Sequence, residues 1–594
     1  EGGGGGGGSG GARERERERE GAAMCLAANL ALESPPPPPA PAAPRSLLQL
    51  LRAFILFLRR LFLLYEPLPT KVDPSSGLIV DERMADTADE AVCRAKRLHF
   101  PKGFLFGSAT AAYQVEGGLD NCNWHAWEQR GLRADGEPTV IGGKGAGLAC
   151  DMWDRFEEDV EHMRDLGLKS YRFSVEWSRI EPREGEFDLS ALERYASWCV
   201  LLRDSGIEPM VTLHHFTEPK WWDEKGGWEK RENVAQFARF AELVTARLAP
   251  HVTYWCTTNE MNGYAVCGWI AGVHPPGKRD QVLTLCAVVR NMLLGHRLAS
   301  AAIRAASATL DRQPVVMMAL NHIWFYTDSW SPITNLTVLV LNMVYNFVIP
   351  DALLGGRFPN FPLPFGLLAR ACGWGDDLRA LKGSVDALGV NHYYRSMVSF
   401  DLSSGATGPA SVSDLYLSLP FGVILRAAMM PGFEKSDMGW DVTPSSLERL
   451  VQALWDRYKT PIIITESGIA DAEECAKSGK ETCFRRTRYL SACLEACYSL
   501  ISKGVDVRGY VIWTLLDNFE WAEGFRPRFG LLHNCFETQT RTKRHVPYAM
   551  LQAVFRRAMS QHGIGSAEDE SAVEAVKAEV QSKLYNDEID KPLA

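Results

Sequence analysis

The fourteen cysteines of this 594-residue chain include no Cys-x-x-Cys pair and no Cys/His cluster at ligand spacing, which argues against a zinc site and a dense disulfide framework. Most read as small buried hydrophobes. Cys475 and Cys483, flanking AKSGKET, are placed to close a loop only if the compartment is oxidising. A basic block is also missing from the globular part. With a formal net charge of -9, that argues against a nucleic-acid partner and for a soluble protein with a neutral or small ligand.

The segment 45–65 also lacks an uncharged stretch long enough for a secure membrane span. RSLLQLLRAFILFLRRLFLLY (45–65) is strongly apolar, but Arg52, Arg59 and Arg60 interrupt it. Arg45, Arg52 and Arg59 recur every seven residues, so a helix over 46–66 would carry a cationic stripe on an apolar surface and lie in a membrane interface. A signal anchor and a helix folded onto the domain are the competing readings. The uncharged run SWSPITNLTVLVLNMVYNFVIP (329–350) sits among alternating strand and helix signals and contains Pro332 and several Asn. It is expected as a loop and helix buried in the core, despite a hydropathy that would flag a span. Its sequon, Asn335-Leu336-Thr337, matters only in a secreted, exposed segment.

Residues 1–45, with EGGGGGGGSGG, RERERERE and SPPPPPAPAAP, cannot bury a core and are expected to be disordered. The first 23 read as an upstream extension of a start at Met24. Residues 566–594 form an acidic tail, expected as a surface helix. Seventeen Trp and seventeen Tyr suit sugar-stacking surfaces and a large core alike.

Between 98 and 558, short β-rich runs alternate with longer helical patterns such as DRFEEDVEHMRDLG. The runs are FLFGSAT (104–110), SYRFSV (170–175), EPMVTLHH (208–215), YWCTTNE (254–260), VVMMALNH (315–322), ALGVNHYY (387–394), PIIITES (461–467) and GYVIWTLLD (509–517). Eight strands with helices between them predict a parallel (β/α)8 barrel, an α/β fold. In that fold the site lies where strands end, so Gln114, Arg172, His215, Asn259, Glu260, Asn391, Tyr393, Glu466 and Trp513 are expected to converge. A single carboxylate there could be a salt-bridge partner. Two, at the ends of the fourth and seventh strands, are what glycoside cleavage needs: one protonated for the leaving oxygen, one ionised to attack or to activate water.

The chain resembles glycoside hydrolase family 1 over roughly 98–555. TTNEMN (257–262) looks like the family's acid/base segment and ITESG (464–468) like its nucleophile segment. FLFGSATAAYQVEGG, YRFSVEWSRI, TLHHFTEP, GWIAGVHPPG, GVNHYY and WTLLDNFEWAEGFRPRFGL match in order. The resemblance implies Glu260 as acid/base and Glu466 as nucleophile of a retaining β-glycosidase acting on β-glucosides or β-galactosides, with carboxyl groups roughly 5–5.5 Å apart. Arg172 and Tyr393 would hold Glu466 ionised, and burial beside Glu466 would raise the pKa of Glu260. Asn259 would meet the sugar 2-hydroxyl, while Gln114, His215, Trp513, Glu520 and Trp521 would bind the nonreducing sugar. A carboxylate at Glu520 disfavours a phosphorylated sugar.

Met261, Thr258, Ser467 and Phe216 depart from the family pattern, and Met261 and Ser467 adjoin the two Glu. No metal or cofactor is implied. The alternatives are a transglycosylase acting on a membrane glycolipid, similar to galactolipid-remodelling members of the family, and a sugar-binding protein with negligible turnover. The expected location is the cytoplasm or a membrane surface rather than outside the cell.

Overall fold

Runs such as Ile462-Ile463-Ile464 are apolar on both faces, the pattern of parallel strands covered by helices on one side and by a packed interior on the other. A computed structural model describes residues 70–560 apart from 74–75, 330, 357–378, 402–414, 419–423 and 473–483. The readings for 1–45, 46–66, 566–594 and the Cys475/Cys483 pair lie outside those residues.

All eight expected strands form, and each is followed by a helix. Strand β1 (Leu105–Ala109) precedes α1 (Met152–Leu166), β2 (Ser170–Ser174) precedes α2 (Leu189–Asp204), and β3 (Glu208–Thr212) precedes α3 (Val234–Leu248). Then come β4 (Tyr254–Asn259) with α4 (Val282–Ser307), and β5 (Val315–Asn321) with the helical stretch α5 (Pro332–Gly355). Finally β6 (Leu388–Asn391) precedes α6 (Ser445–Tyr458), β7 (Ile462–Ser467) precedes α7 (Phe484–Ser502), and β8 (Val507–Trp513) precedes α8 (His545–Ser560). Neighbours in sequence pair in parallel, and β8 pairs with β1, closing the barrel. This is the (β/α)8 architecture.

Local chemistry sets the helices. In α1, Met152, Phe156, Val160, Met163 and Leu166 recur at three- and four-residue steps and face the core. Gly167, at φ 83°, ends the helix in the left-handed conformation that glycine adopts without a Cβ penalty. Asp188 caps α2 by accepting from the backbone of Ser190 and Ala191. Residues ahead of 98 also join the helical layer. Ser491 of α7 donates to the Ala91 carbonyl at 2.8 Å, and the backbone of Ser445 donates to buried Asp81 at 3.0 Å.

The apolar run 329–350 differs from the loop and buried helix expected of it. It is helical from Pro332 through Gly355, with a π-helical turn at Met343–Phe347, and half of its most apolar window is buried. Ile333, Leu336 and Val344 are exposed. By length and composition alone this helix and α4 could each cross a membrane. Both are instead laid against the barrel as its fifth and fourth helices. Asn335, the sequon residue, is buried and donates to the Ser329 and Ser331 carbonyls.

A second sheet stands beyond the ends of β5 and β6, in the order Leu415–Ser418, Ile424–Ala428, Arg395–Asp401, Trp324–Tyr326. On the helical layer, Arg541 forks onto Asp159 of α1 at 2.9 and 3.2 Å, with both side chains fully buried. Asp159→Ala is expected to leave that guanidinium buried and unpaired and to cost roughly 3–5 kcal/mol. The denaturant midpoint at unchanged m-value is the readout.

Candidate active site

The two strands that carry the paired Glu are also irregular at their ends. The β4–β5 register shifts between Cys256 and Asn259, and the β7 registers with β6 and β8 both shift after Ile464. Such bulges re-aim the side chains that follow, which here are Glu260 and Glu466. Glu260 stands in the left-handed region at φ 44°, ψ 44°, at the start of the helix Met261–Trp269. Holding a non-glycine residue there costs on the order of 1–3 kcal/mol, and such strain clusters at functional sites. Immediately after Glu466, Gly468 admits no side chain, since a Cβ would lie 1.9 Å from the Trp513 carbonyl oxygen.

The two carboxyls are held differently. Arg172 donates through Nη1 to Glu466 Oε1 at 2.5 Å, and Tyr393 donates its hydroxyl to Oε2 at 2.8 Å. The guanidinium is locked by further bonds to Thr212 Oγ1 (3.1 Å), the Thr465 carbonyl (3.3 Å) and Asn259 Oδ1 (2.7 Å). Among the described residues, Glu260 is hydrogen-bonded by neutral amides alone. Asn321 and Asn391 both donate to its Oε1, at 3.0 and 2.9 Å. The Thr465 hydroxyl donates to Asn391 Oδ1 at 2.7 Å, which fixes the direction of that amide.

Electrostatics follow from this. Burial, and after it the charge of Glu466, push Glu260 up to about 7, with the amides of Asn321 and Asn391 opposing. Burial also raises Glu466, but Arg172 beside it, Tyr393 and Asn391 pull it back toward the ionised form. Among the described residues, Glu466 is thus the carboxyl of the pair whose rise a contacting cation opposes, and Glu260 the one without such a cation.

Around this pair stand the remaining residues expected from the sequence. Asn259 Nδ2 lies 3.0 Å from His215 Nε2, and burial holds that imidazole neutral, so Nε2 accepts and Nδ1 carries the proton. Gln114 donates to the Phe519 carbonyl at 2.7 Å and lies 3.4 Å from Glu520 Oε2, to which Trp513 Nε1 also points at 3.4 Å. Gln114 Oε1 and His215 Nδ1 are buried without a hydrogen-bond partner among the described residues, and such atoms are costly unless a ligand hydroxyl meets them. The Trp513 and Trp521 rings stack beside His215 at 5.9 and 6.2 Å. Trp521 and Phe216 both hold positive φ, 52° and 72°, and their rings lie 5.2 Å apart. Burial above all pushes Glu520 up to about 8, with the Trp513 indole opposing and the charges of Glu466, Glu523 and Glu260 adding to the rise.

The departures from the family pattern sort by direction. Ser467 lies 3.2 Å from Tyr489 of α7, toward the helical layer. Met261 is fully buried at the first turn after Glu260. Nothing in the structure explains Thr258.

Asn321, Asn262 and Thr465 were missed. Asn321 ends the fifth strand as part of VVMMALNH, and a polar residue at that position was the available signal.

A closed barrel with two buried carboxyls meeting at its C-terminal mouth defines the class: a glycosidase barrel. Residues 96–557 match the profile of Glycosyl hydrolase family 1. The chain is 32% identical over 455 residues to β-glucosidase A of Acetivibrio thermocellus, covering 75% of this chain and 96% of that one. It is 30% identical to coniferin β-glucosidase of Pinus contorta, covering 79% and 93%. The β-glucosidase of Thermotoga maritima in complex with glucoimidazole superposes with a TM-score of 0.67 at 28% identity, covering 79% of this chain and all of that one (100%). The chain belongs to glycosyl hydrolase family 1 and is a hydrolytic glycosidase.

Tyr393→Phe removes a donor to the charged form of Glu466 and so raises its pKa. The acid limb of the kcat/KM–pH profile is expected to move to higher pH while the alkaline limb stays in place.

Proposed function

We propose that this enzyme is a retaining β-glycosidase that hydrolyses β-glucosides, β-galactosides or both by double displacement, with Glu466 as nucleophile and Glu260 as acid/base. The observation that carries the assignment is the asymmetry of support: a guanidinium and a phenol contact Glu466 and oppose the rise that burial imposes on it, while Glu260 has two amides and rises to about 7. In the first step a Glu466 oxygen bonds to the anomeric carbon as the glycosidic bond breaks, and Glu260 gives its proton to the departing oxygen. In the second, ionised Glu260 takes a proton from water, whose oxygen displaces Glu466 from the anomeric carbon. Asn259 accepts from Arg172 and donates to His215, which presents it to the sugar 2-hydroxyl. Gln114, His215 and Glu520 suit the other hydroxyls, and Trp513 and Trp521 suit the apolar sugar face. The β-glucoside part of this reading is supported by relatives named as β-glucosidases.

The sequence favours a second, compatible reading for location. The Arg-striped segment 46–66 suits peripheral attachment to a membrane on the cytoplasmic side, where a glycolipid sugar could compete with water for the glycosyl-enzyme.

Wild type is expected to hydrolyse p-nitrophenyl β-glucoside or β-galactoside. Glu466→Ala is expected to be inactive until azide restores turnover and yields a glycosyl azide of inverted configuration. A wild type that turns over neither substrate would remove the hydrolase reading. Deleting residues 1–70 is expected to release the enzyme from sedimented membranes, and a truncated protein that still pellets would remove the attachment reading.

A further inference from the structure

The helical stretch α5 reaches the site through one polar face. Asn342 exchanges two bonds with the Phe325 backbone, donating to its carbonyl at 2.8 Å and accepting from its N–H at 3.3 Å. One turn on, Asn346 donates to the Ile323 carbonyl at 2.8 Å and lies 3.2 Å from His322 Nδ1. Burial holds that imidazole neutral, so its Nδ1–H donates to Asn346. These bonds tie the π-helical turn Met343–Phe347 to the segment leaving β5. A single π turn inside a helix is frequent at functional sites.

From that turn the Tyr345 hydroxyl donates to Asn321 Oδ1 at 2.8 Å. An amide whose oxygen is engaged by a donor must turn its NH2 the other way, and Asn321 Nδ2 donates to Glu260 Oε1 at 3.0 Å. The Asn321 backbone is clamped independently. Asn262 donates to its carbonyl at 2.6 Å and accepts from its N–H at 3.2 Å, so the side-chain torsion is what remains for Tyr345 to set. Because Asn391 also donates to Oε1, the proton of Glu260 is directed to Oε2.

We propose that Tyr345 is a positioning residue for general acid catalysis: by fixing the Asn321 amide it selects which oxygen of Glu260 carries the proton toward the leaving group. This rests on the assignment of Glu260 as acid/base. A freed amide could present its oxygen to Glu260, where it would accept the proton that belongs on Oε2. The donor to the ionised carboxylate would be lost in the same movement, so Glu260 would ionise at higher pH. Burial keeps the Tyr345 hydroxyl protonated throughout, well above the ordinary phenol range.

The experiment compares kcat/KM for an alkyl β-glycoside, whose leaving alkoxide needs a proton, with that for the 2,4-dinitrophenyl glycoside, whose leaving group does not. Tyr345→Phe keeps the ring and its edge contact with Phe325 and removes only the hydroxyl. Expected is a loss of roughly tenfold on the alkyl substrate, a fraction of what general acid catalysis supplies. The dinitrophenyl substrate should change by less than about twofold, and the alkaline limb should move to higher pH. In an Asn321→Ala background the same change is expected to add nothing, as for two residues acting in series. Equal loss on both substrates, an unmoved alkaline limb, or an effect that persists in full without Asn321 would each overturn the proposal. Glu260→Gln, run in parallel, separates it from its premise. Loss of the alkyl substrate with the dinitrophenyl substrate spared upholds the acid assignment whatever Tyr345→Phe does, and loss of neither removes both.

Discussion

The structure of this site depends on one buried cation. Arg172 projects from β2 into the barrel mouth, almost fully shielded from water, and its guanidinium reaches β3, β4 and β7 through Thr212, Asn259 and the Thr465–Glu466 segment. Neither Arg172 nor Glu466 is tolerable there alone, because an unpaired buried charge costs several kcal/mol and breaking such a pair is strongly destabilising. Together they form a fixed dipole at the centre of the mouth. The pull of Glu466 toward its ionised form, the orientation of Asn259 and, through that amide, the tautomer of His215 all follow from where this guanidinium sits.

The second carboxyl is governed by what it lacks. Among the described residues Glu260 has no cation in direct contact, and a carboxyl that is buried, amide-bound and next to a negative charge favours a proton over a counter-ion. Two residues of one type are pulled in opposite directions because the barrel offers them different neighbours. The strand irregularities beside both Glu and the left-handed backbone at Glu260 place them, and the rest of the fold bears that strain. The continuous apolar strands and their helical cover serve as a rigid frame on which local backbone irregularity can persist.

Much of this was legible in the sequence, and the division has a physical origin. Strand positions were readable because parallel strands buried on both faces leave unbroken apolar runs, and all eight runs are strands. Glu466 was readable because a charge at the end of Ile462-Ile463-Ile464 is costly to bury without a partner, and a second Glu ends the fourth strand. Asn321 was harder, since an Asn at a strand end is also an ordinary turn residue. Nor could spacing reveal that Tyr345, on a helix separated from its strand by a loop, returns to the mouth: that contact is made in three dimensions by Asn342 and Asn346. Spacing is equally silent on the upward pull that Glu520 feels, which comes from burial and from the charges of Glu466, Glu523 and Glu260 around it in three dimensions.

The helical stretch α5 shows why a hydropathy average is a poor guide in such a barrel. Averaged over its length it is apolar enough to span a bilayer, and Ile333, Leu336 and Val344 are indeed exposed. Yet Asn342 and Asn346 are buried and bonded to backbone, while Tyr345 bonds Asn321 at the site. In hydrocarbon those amides would have no partner, and each would cost several kcal/mol. The same amides that make a lipid environment unfavourable for this face make the contact with β5 specific, because only one rotation of the helix satisfies them all. The helix is apolar where its packing can be approximate and polar where it must hold Asn321 in a single orientation.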